Sequence, residues 1–297
     1  MKQKKHVPLL YIGPQLLFFL VFLVVPFFYG FYISFTNYNL GNTMDFIGLT
    51  NYTRIFNPES FRFEQFWGAI KNTLIFMAIT VPLIVAIPLV FAQLLSNFTR
   101  NRTLFQSLIY IPSLFSVTSS LLVWIWMFNN ESGVINFYLE QWFGVSIPWL
   151  TTNPYTWTSM VIATIWWTVG GNLIIFSAGI QEISTELYEA ADIDGANKFY
   201  QFLYVTIPGL KNQLTYAVVM TILASANVFG QPLLMTGGGP GDSTRSISML
   251  IREVAFEGTV PRAGQASAMS MTFGMIIIVI SFAALYFMNR SKRSNHA

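Results

Sequence analysis

Long apolar runs dominate the chain, and short polar stretches separate them. A helix that crosses the hydrocarbon core of a bilayer takes about 20 predominantly apolar residues. Six runs reach that length and predict transmembrane helices at residues 14–35, 69–95, 106–128, 158–180, 210–231 and 266–289. Prolines inside these runs or at their ends predict kinks rather than breaks, because neighbouring helices satisfy the backbone groups that a proline frees. The pattern therefore predicts an all-α integral membrane protein, with residues 1–297 forming a single transmembrane domain.

The composition agrees with this class. Hydrophobic residues make up 54% of the chain and charged residues only 10%, whereas soluble domains carry about 25% charged residues. The absence of cysteine excludes disulfides, thiol catalysis and cysteine metal sites. Lys2, Lys4 and Lys5 before the first apolar run resemble the start of a signal peptide, but the run is too long for one and no A-x-A site follows. We therefore expect an uncleaved first span.

The placement of lysine and arginine predicts the orientation in the membrane. Six spans put both termini on one side, together with the second and fourth loops. That side carries ten of the 16 basic residues: Lys2, Lys4, Lys5, Arg100, Arg102, Lys198, Lys211, Arg290, Lys292 and Arg293. Both termini are therefore expected to be cytoplasmic. The lysine-rich N-terminus and the lack of cysteine fit a multi-pass protein of the bacterial plasma membrane.

The predicted spans contain no internal Asp, Glu, Lys, Arg or His. Proton relays, voltage sensors and ion sites need such groups, so a proton- or sodium-coupled carrier is disfavoured. The two histidines, His6 and His296, lie in the tails, which excludes histidine catalysis and a histidine metal site within the membrane. We expect no metal and no catalytic residue.

Neutral polar residues do occur in the spans. Thr164, Thr168 and Asn172 recur at i, i+4 and i+8 on one face of the fourth span. One interpretation is hydrogen bonding between helices; the other is a path for a neutral, hydroxyl-rich solute. Trp166 and Trp167 could stack on a sugar ring or simply pack in the membrane. In the second external loop, Trp142, Trp149, Tyr155 and Trp157 predict an interfacial aromatic belt.

The loop at residues 181–209 gathers five of the 13 acidic residues: Glu182, Glu186, Glu189, Asp192 and Asp194. Ser184 is a plausible N-cap for a short helix, on which Glu186, Glu189 and Asp192 form an acidic stripe. Gly195 is suited to ending that helix, and Pro208 to beginning the fifth span. A helix lying on the anionic inner leaflet would carry Lys and Arg instead. We therefore favour a short helix that binds a partner protein.

These residues carry a family resemblance. The string LYEAADIDGA at residues 187–196, then Ile207-Pro208 and TGGGP at 236–240, resembles permease subunits of ATP-binding-cassette importers that have the EAA loop, in their MalF-like carbohydrate branch. The likeness is strong from the fourth span to the glycine run and looser across the third span and the second external loop. Before residue 100 it rests on topology alone. The usual Leu-Pro is Ile-Pro here.

The resemblance implies a type I importer fold and a set of partners. Two permeases, the second a different homologous chain, would each place an EAA helix in a cleft of an ATPase subunit. The two ATPase subunits would hold ATP and Mg, an extracellular binding protein would deliver a sugar, and membrane lipid would surround the spans; no nucleic acid is expected. The chain itself would bind no cofactor, and it contains no G-x-x-x-x-G-K-[ST] motif for ATP. It is therefore not expected to be an enzyme.

The resemblance also implies residue roles. The coupling residues would be Glu189, Ala190, Ala191, Asp194, Gly195, Ile207 and Pro208. The solute path, on the third, fourth and fifth spans, would include Ser113, Thr164, Trp167, Thr168, Ser225 and Asn227. The alternatives left open are an importer for glycerol phosphate, a polyol or an amino acid, a passive channel or scaffold, and a membrane hydrolase.

Overall fold

The structure is a computed structural model that describes residues 7–41, 44–96, 101–257 and 262–290. Its regular elements within these ranges are helical, apart from an isolated antiparallel bridge between Thr36 and Phe46. The α-helices are α1 (Val7–Phe19), α2 (Val25–Ile33), α3 (Thr50–Phe56), α4 (Phe61–Ser96), α5 (Arg102–Tyr110), α6 (Val117–Met127), α7 (Val134–Phe143), α8 (Tyr155–Glu182), α9 (Thr185–Ile193), α10 (Lys198–Gln201), α11 (Ile207–Gly209), α12 (Lys211–Ala226), α13 (Ile247–Arg252) and α14 (Ala263–Arg290). Short π-helical segments lie at Leu20–Val24, Phe202–Thr206, Pro232–Thr236 and Glu253–Glu257, and a 3-10 segment lies at Ile111–Leu114.

Four helical segments of the described chain are long and apolar enough to cross a membrane. They are Tyr11–Ile33, Phe61–Ser96, Tyr155–Glu182 and Ala263–Met288, which correspond to the first, second, fourth and sixth predicted spans. The expected kinks at Pro82 and Pro88 do not interrupt α4, which is continuous over 36 residues. The all-helical membrane class is therefore confirmed. The count of six spans and the cytoplasmic termini stay predictions.

The third predicted span, at residues 106–128, is not one straight helix. The segments Arg102–Leu114 and Val117–Met127 meet at an angle of 97°. Pro112 lies in the 3-10 turn that precedes the break, and Phe115 is extended, with ψ 152°. Ser116 then starts a new helix, because its hydroxyl oxygen accepts a hydrogen bond from the backbone N–H of Ser119 at 3.1 Å. The two segments count as a single span only if this bent pair crosses the membrane together.

The fifth predicted span, at residues 210–231, is also shorter as a helix than the sequence indicates. Its helix α12 has 16 residues and ends at Ala226. Asn227 turns its side chain back and donates from Nδ2 to the carbonyl oxygen of Leu223 at 2.8 Å. Pro232 has no N–H to continue the helical ladder, and the chain resumes there as the π segment Pro232–Thr236.

The chain divides into two compact units, the first formed by the described parts of residues 1–67 and 250–276. In this unit the buried Asn51 donates from Nδ2 to the carbonyl oxygens of Ser34 at 3.0 Å and Thr36 at 2.8 Å. The N–H of Gly264 donates to the carbonyl oxygen of Tyr38 at 3.0 Å. A Cβ at Gly264 would overlap the carbonyl oxygen of Thr36, so glycine allows the close approach of α14 to the end of α2.

The second unit, formed by the described parts of residues 68–249 and 277–297, contains two buried apolar clusters. One joins α4, α8 and α12 through residues such as Leu89, Leu173 and Ala217. The other joins α4, α6 and α8 to the segment after α12, and includes Phe76. Within this unit α5 and α8 approach closely at Gly170, where an added Cβ would lie 2.6 Å from Cα of Tyr110. Small residues at helix contacts are typical of membrane bundles.

The residues of the predicted aromatic belt lie in the second unit, and their place at a membrane interface stays a prediction. Trp149 and Trp157 pack against the cluster around Phe76, and Trp149 also donates from Nε1 to Asn136 at 3.0 Å. Trp142 is 68% exposed on α7. Its ring contacts that of Tyr138 in a tilted arrangement at a centroid distance of 5.0 Å, and Tyr138 in turn contacts Phe137. The exposed aromatic face is therefore a property of α7.

Candidate functional site

A cavity of about 550 Å³ lies in the second unit, among α4, α6, α8, α12 and the segment that follows α12. Its volume is within the range of small-molecule sites, roughly 300–1,000 Å³. The polar residues on its wall are Thr164, Thr168, Asn172, Thr221, Ser225, Asn227 and Gln231, and the aromatic ones are Phe76, Trp167, Tyr216 and Phe229. None of the described residues that line it is charged. The wall thus combines hydroxyl and amide groups with aromatic rings.

Five of the six residues predicted for the solute path line this one cavity: Thr164, Trp167, Thr168, Ser225 and Asn227. Ser113 does not line it. The Ser113 hydroxyl donates to the carbonyl oxygen of Trp167 at 2.9 Å, and so supports a residue of the wall. The structure brings the predicted residues together; their contact with a solute stays a prediction.

The threonine hydroxyls of the polar stripe on α8 donate their hydrogen bonds to backbone carbonyls. Thr164 Oγ1 donates to the carbonyl oxygen of Met160, and Thr168 Oγ1 to that of Thr164, each at 2.7 Å. The hydroxyl oxygen Oγ1 of Thr164 also accepts a hydrogen bond from Nε2 of Gln231 at 3.1 Å. What such hydroxyl groups offer to a ligand is chiefly the remaining acceptor capacity of their oxygens. That suits a ligand rich in hydroxyl donors.

Asn172 has a structural partner on α4. Its Nδ2 donates to the carbonyl oxygen of Ile84 at 3.0 Å. Pro88 lies four residues after Ile84 inside α4 and has no N–H, so the Ile84 carbonyl has no helical donor. The Asn172 amide fills that position and ties α8 to α4 beside the cavity. Asn172 therefore bonds between helices and also lines the cavity.

Trp167 and Trp166 have different surroundings. Trp167 lines the cavity, and its Nε1 donates to the carbonyl oxygen of Phe115 at 3.0 Å, which fixes the indole ring. Trp166 is not among the lining residues and contacts Trp124 edge to face at 5.7 Å. Of the pair suggested for stacking on a sugar ring, only Trp167 is in place.

Several lining residues are missed by the sequence analysis. Tyr216, Met220 and Ala224 on α12 face the cavity, as do Phe76 on α4 and Phe229 after α12. Tyr216, Met220 and Ala224 follow one another at intervals of four and share one face of α12. Ser225 lies on a different side of that helix, so the polar residue that the sequence singled out does not lead to them. Nothing local marks Phe76, because it is one of many aromatic and aliphatic residues along α4.

The loop between α8 and α12 forms a second candidate site, on separate helices. The predicted N-cap is confirmed, since the Ser184 hydroxyl oxygen accepts from the N–H of Glu186 at 3.3 Å. Gly195 ends α9 with φ +77°, as expected for a glycine in the left-handed region. The N–H of Ala196 donates to the carbonyl oxygen of Ala191 at 2.9 Å, and that of Gly195 to Asp192 at 3.1 Å. This pair of bonds is a Schellman motif.

The predicted coupling residues lie on the surface of the loop. Glu189, Ala190 and Asp194 are exposed, and Ala191 is half-buried. Leu187 and Ile193 on α9 are 55% and 87% exposed, so apolar side chains accompany the carboxylates. Of the acidic stripe, Glu186 and Glu189 point outward, but Asp192 is hydrogen-bonded to Gln201 within the loop.

The two ends of the loop pack closely against each other within the second unit. An added Cβ at Gly179 would lie 2.6 Å from the Leu210 side chain, and one at Gly209 would lie 2.7 Å from Ile183. Pro208 does not begin the fifth span. It lies in α11 (Ile207–Gly209), and Leu210 separates that short helix from α12. The second helical part of the loop thus runs from Lys198 to Gly209 through the π segment.

Comparison with known proteins identifies relatives along nearly the whole chain. Residues 60–294 match the family model described as "Binding-protein-dependent transport system inner membrane component". The arabinooligosaccharides transport system permease protein AraP of Halalkalibacterium halodurans is 31% identical, over 98% of this chain and 90% of its own. The trehalose/maltose transport system permease protein MalF of Thermococcus litoralis is 33% identical, over 93% and 91%. A crystal structure of a bacterial alginate ABC transporter with its pentasaccharide-bound periplasmic protein includes a chain of the same fold, with a TM-score of 0.83, 24% identity and 96% of both chains covered.

Proposed function

Because the chain belongs to the family of binding-protein-dependent transport system inner membrane components, we propose that it is the permease subunit of an ATP-driven importer for a sugar or oligosaccharide. The named relatives AraP and MalF are permeases for arabino-oligosaccharides and for trehalose and maltose. The site of action would be the bacterial plasma membrane, with both termini in the cytoplasm. The alternative is an importer of another small solute, such as glycerol phosphate, a polyol or an amino acid.

The observation that carries the sugar assignment is the wall of the cavity. Its polar groups are neutral hydroxyls and amides, placed among aromatic rings, and none of its described residues is charged. Hydroxyl and amide oxygens suit the many O–H donors of a sugar, and aromatic faces suit its apolar C–H surface. A phosphate or a zwitterionic amino acid would gain from a basic residue in the wall. The cavity therefore favours a neutral carbohydrate over these alternatives.

Energy for transport would come from separate subunits. The chain has no G-x-x-x-x-G-K-[ST] motif, so ATP and Mg would be held by two ATP-binding-cassette subunits and this chain would not be an enzyme. The helix α9 would dock on one of them through Glu189, Ala190 and Ala191, which lie beside exposed apolar side chains. Closure of the ATPases would then move α9 and turn the permease pair from outward-open to inward-open, by alternating access.

The outer side would receive the solute from a binding protein. The alginate transporter of the same fold was crystallised with a periplasmic protein that holds an alginate pentasaccharide. A second permease, most simply a different homologous chain, would complete the membrane part and share the contacts to the sugar.

The coupling part of the proposal is tested in proteoliposomes that contain both permeases, the ATPases and the binding protein. Glu189→Lys and Gly195→Pro should abolish uptake and the ATP hydrolysis that the loaded binding protein stimulates, while both variants still insert into the membrane. Uptake and hydrolysis at wild-type levels in both variants would contradict the docking role of α9. Solute flux through this chain alone, without ATPases, would instead support a passive channel.

The sugar assignment is tested by screening ligands of the cognate binding protein and then measuring uptake of the ligand that binds. We expect a neutral mono- or oligosaccharide. In the same liposomes Trp167→Ala should reduce its uptake, whereas Trp166→Ala, the neighbour outside the cavity wall, should not. A binding protein that selects a phosphate ester or an amino acid would support the alternative.

A further inference from the structure

Three side chains form a closed hydrogen-bonded network across the turn at Gly195. Asp192 lies in the last turn of α9, and Lys198 and Gln201 are the first and last residues of α10. Asp192 Oδ1 accepts a hydrogen bond from Gln201 Nε2 and lies 3.5 Å from Lys198 Nζ. The network therefore joins the end of one helix to the whole length of the next.

Gln201 is the centre of this network. It is 2% exposed, although it lies in a loop whose other polar residues mostly face outward. Its Nε2 also donates to the carbonyl oxygen of Ala196 at 3.1 Å, and its Oε1 accepts from Lys198 Nζ at 2.9 Å. Each donor and acceptor of the amide is thus used, and the bonds reach α9, the turn and α10. A buried amide with all its bonds made holds one conformation.

The turn itself does not set the angle between the two helices by packing. A Cβ at Gly195 would meet no atom within 4 Å, and glycine is the residue with the widest choice of backbone conformations. A hydrogen bond between the hydroxyl groups of Tyr188 and Thr206, at 2.9 Å, also links α9 to the π segment that follows α10. Within the described residues, three side-chain bonds join α9 to the chain that leads to α12, and two of them, from Gln201 and Lys198, meet at Asp192.

We propose that Gln201 is a positioning residue for energy coupling, and that with Asp192 it braces the Gly195 turn so that a displacement of α9 moves α12. This inference rests on the proposed docking of α9 on an ATPase. It adds a role for the exposed Asp192, because one of its carboxylate oxygens is hydrogen-bonded within the loop. Gln201 acts through α9 alone, since its side chain is buried.

The geometry of the brace is tested on the full chain in lipid nanodiscs, without any ATPase. The chain has no cysteine, so a nitroxide pair at Leu187→Cys and Tyr204→Cys, on exposed positions of the two helical parts, reports their separation by pulsed electron resonance. We expect a narrow distance distribution that broadens in Gln201→Leu. Asp194→Asn is the matched control and should leave the distribution narrow. It removes a carboxylate two residues from Asp192, and the Asp194 side chain accepts no hydrogen bond within the described residues. A distribution that stays narrow in Gln201→Leu would overturn the proposal.

The functional arm measures sugar molecules imported per ATP hydrolysed by the complete transporter. Asp192→Leu should lower this ratio by about tenfold, the order expected for loss of a hydrogen bond to a charged group. Asp192→Asn, which loses the same charge but keeps an oxygen that accepts from Gln201, should retain most of the ratio. Equal ratios for the two variants would overturn the brace. Co-purification of the ATPases separates the two proposals. If the wild-type chain binds no ATPase, the proposed function fails. If Asp192→Leu binds the ATPases normally and stays fully coupled, only the brace fails.

Discussion

The hydrogen bond from Asn172 to the carbonyl of Ile84 gives the sharpest test of how the helices of the second unit hold together. Pro88 leaves that carbonyl without its helical donor, and Asn172 Nδ2 donates to it at 3.0 Å. Replacement of Asn172 by leucine, which has the same branching and the same number of side-chain heavy atoms, would leave the carbonyl unpaired in an apolar surrounding. Unpaired buried groups cost about 1–3 kcal/mol, and bonds between membrane helices contribute up to about 1.7 kcal/mol. We expect Asn172→Leu to destabilise the chain by about 1–2 kcal/mol.

The same reasoning predicts that Pro88→Ala cancels most of this loss. Alanine at position 88 provides the backbone N–H that bonds to the Ile84 carbonyl within α4, so Asn172 is no longer required there. In the Pro88→Ala background, Asn172→Leu should cost less than about 0.5 kcal/mol, which is the range of substitutions away from a special feature. The coupling energy of the double-mutant cycle should therefore be roughly 1 kcal/mol.

The assay is reversible unfolding of the purified chain in mixed micelles, followed by circular dichroism as denaturing detergent is added. Asn212→Leu serves as the control, because Asn212 is exposed at the start of α12 and its side chain makes no hydrogen bond among the described residues. Its coupling to Pro88→Ala should be zero. If Asn172→Leu costs the same in both backgrounds, the bond does not compensate for the proline and the argument is refuted. If the double variant Pro88→Ala and Asn172→Leu regains stability but still imports no solute, Asn172 also contacts the solute.

Three further outcomes follow from the structure. Gly170→Ala should destabilise the chain by about 1–3 kcal/mol, because its Cβ would lie 2.6 Å from Cα of Tyr110. The adjacent Gly171→Ala, whose Cβ would meet no atom within 4 Å, should be neutral or stabilising by up to about 1 kcal/mol. Equal losses of stability for the two variants in thermal unfolding would disprove the close approach. Gly195→Ala places a Cβ on a residue at φ +77° and should lower the stability of the loop by roughly 1–2 kcal/mol. Hydrogen exchange should become faster at the Ala196 amide, and unchanged exchange there would count against strain at this turn. A nitroxide at Trp142→Cys on α7 should relax faster with lipid-soluble oxygen than with a water-soluble nickel chelate. A nitroxide at Glu131→Cys, just before α7, should relax faster with the nickel chelate. The same preference at both positions would place α7 away from the membrane interface.

Part of the structure could be predicted because it depends on residues that are close together in the chain. Ser184 caps α9 through the N–H two residues later, and Gly195 ends it because glycine tolerates a positive φ. The long apolar helices follow from composition, since lipid requires their backbone bonds to be made within the helix. The resemblance carried by LYEAADIDGA is confirmed by the family model and by relatives that cover nearly the whole chain.

The candidate cavity was predicted only in part. The polar residues Thr164, Thr168, Ser225 and Asn227 stood out against an apolar background and do line it. Phe76 could not be found in this way, because an aromatic residue in an apolar span has no local mark of its own. The bend after Pro112 was missed for a different reason. A proline predicts a kink, but the size of the turn depended on the extended Phe115 and on the new cap at Ser116.

The sequence by itself determined that this is a helical membrane protein with an acidic helical loop and charge-free spans, because hydrophobicity, capping and glycine conformations act over a few residues. Only the tertiary structure decided what the polar side chains do. Asn172 bonds to a carbonyl 88 residues away in the chain, and Ser113 to one 54 residues away. Asp192, which the sequence assigns to the outer acidic stripe, is bonded to the buried Gln201. Such pairings depend on which helix faces meet, and that follows from the packing of the whole unit, which no single stretch of sequence contains.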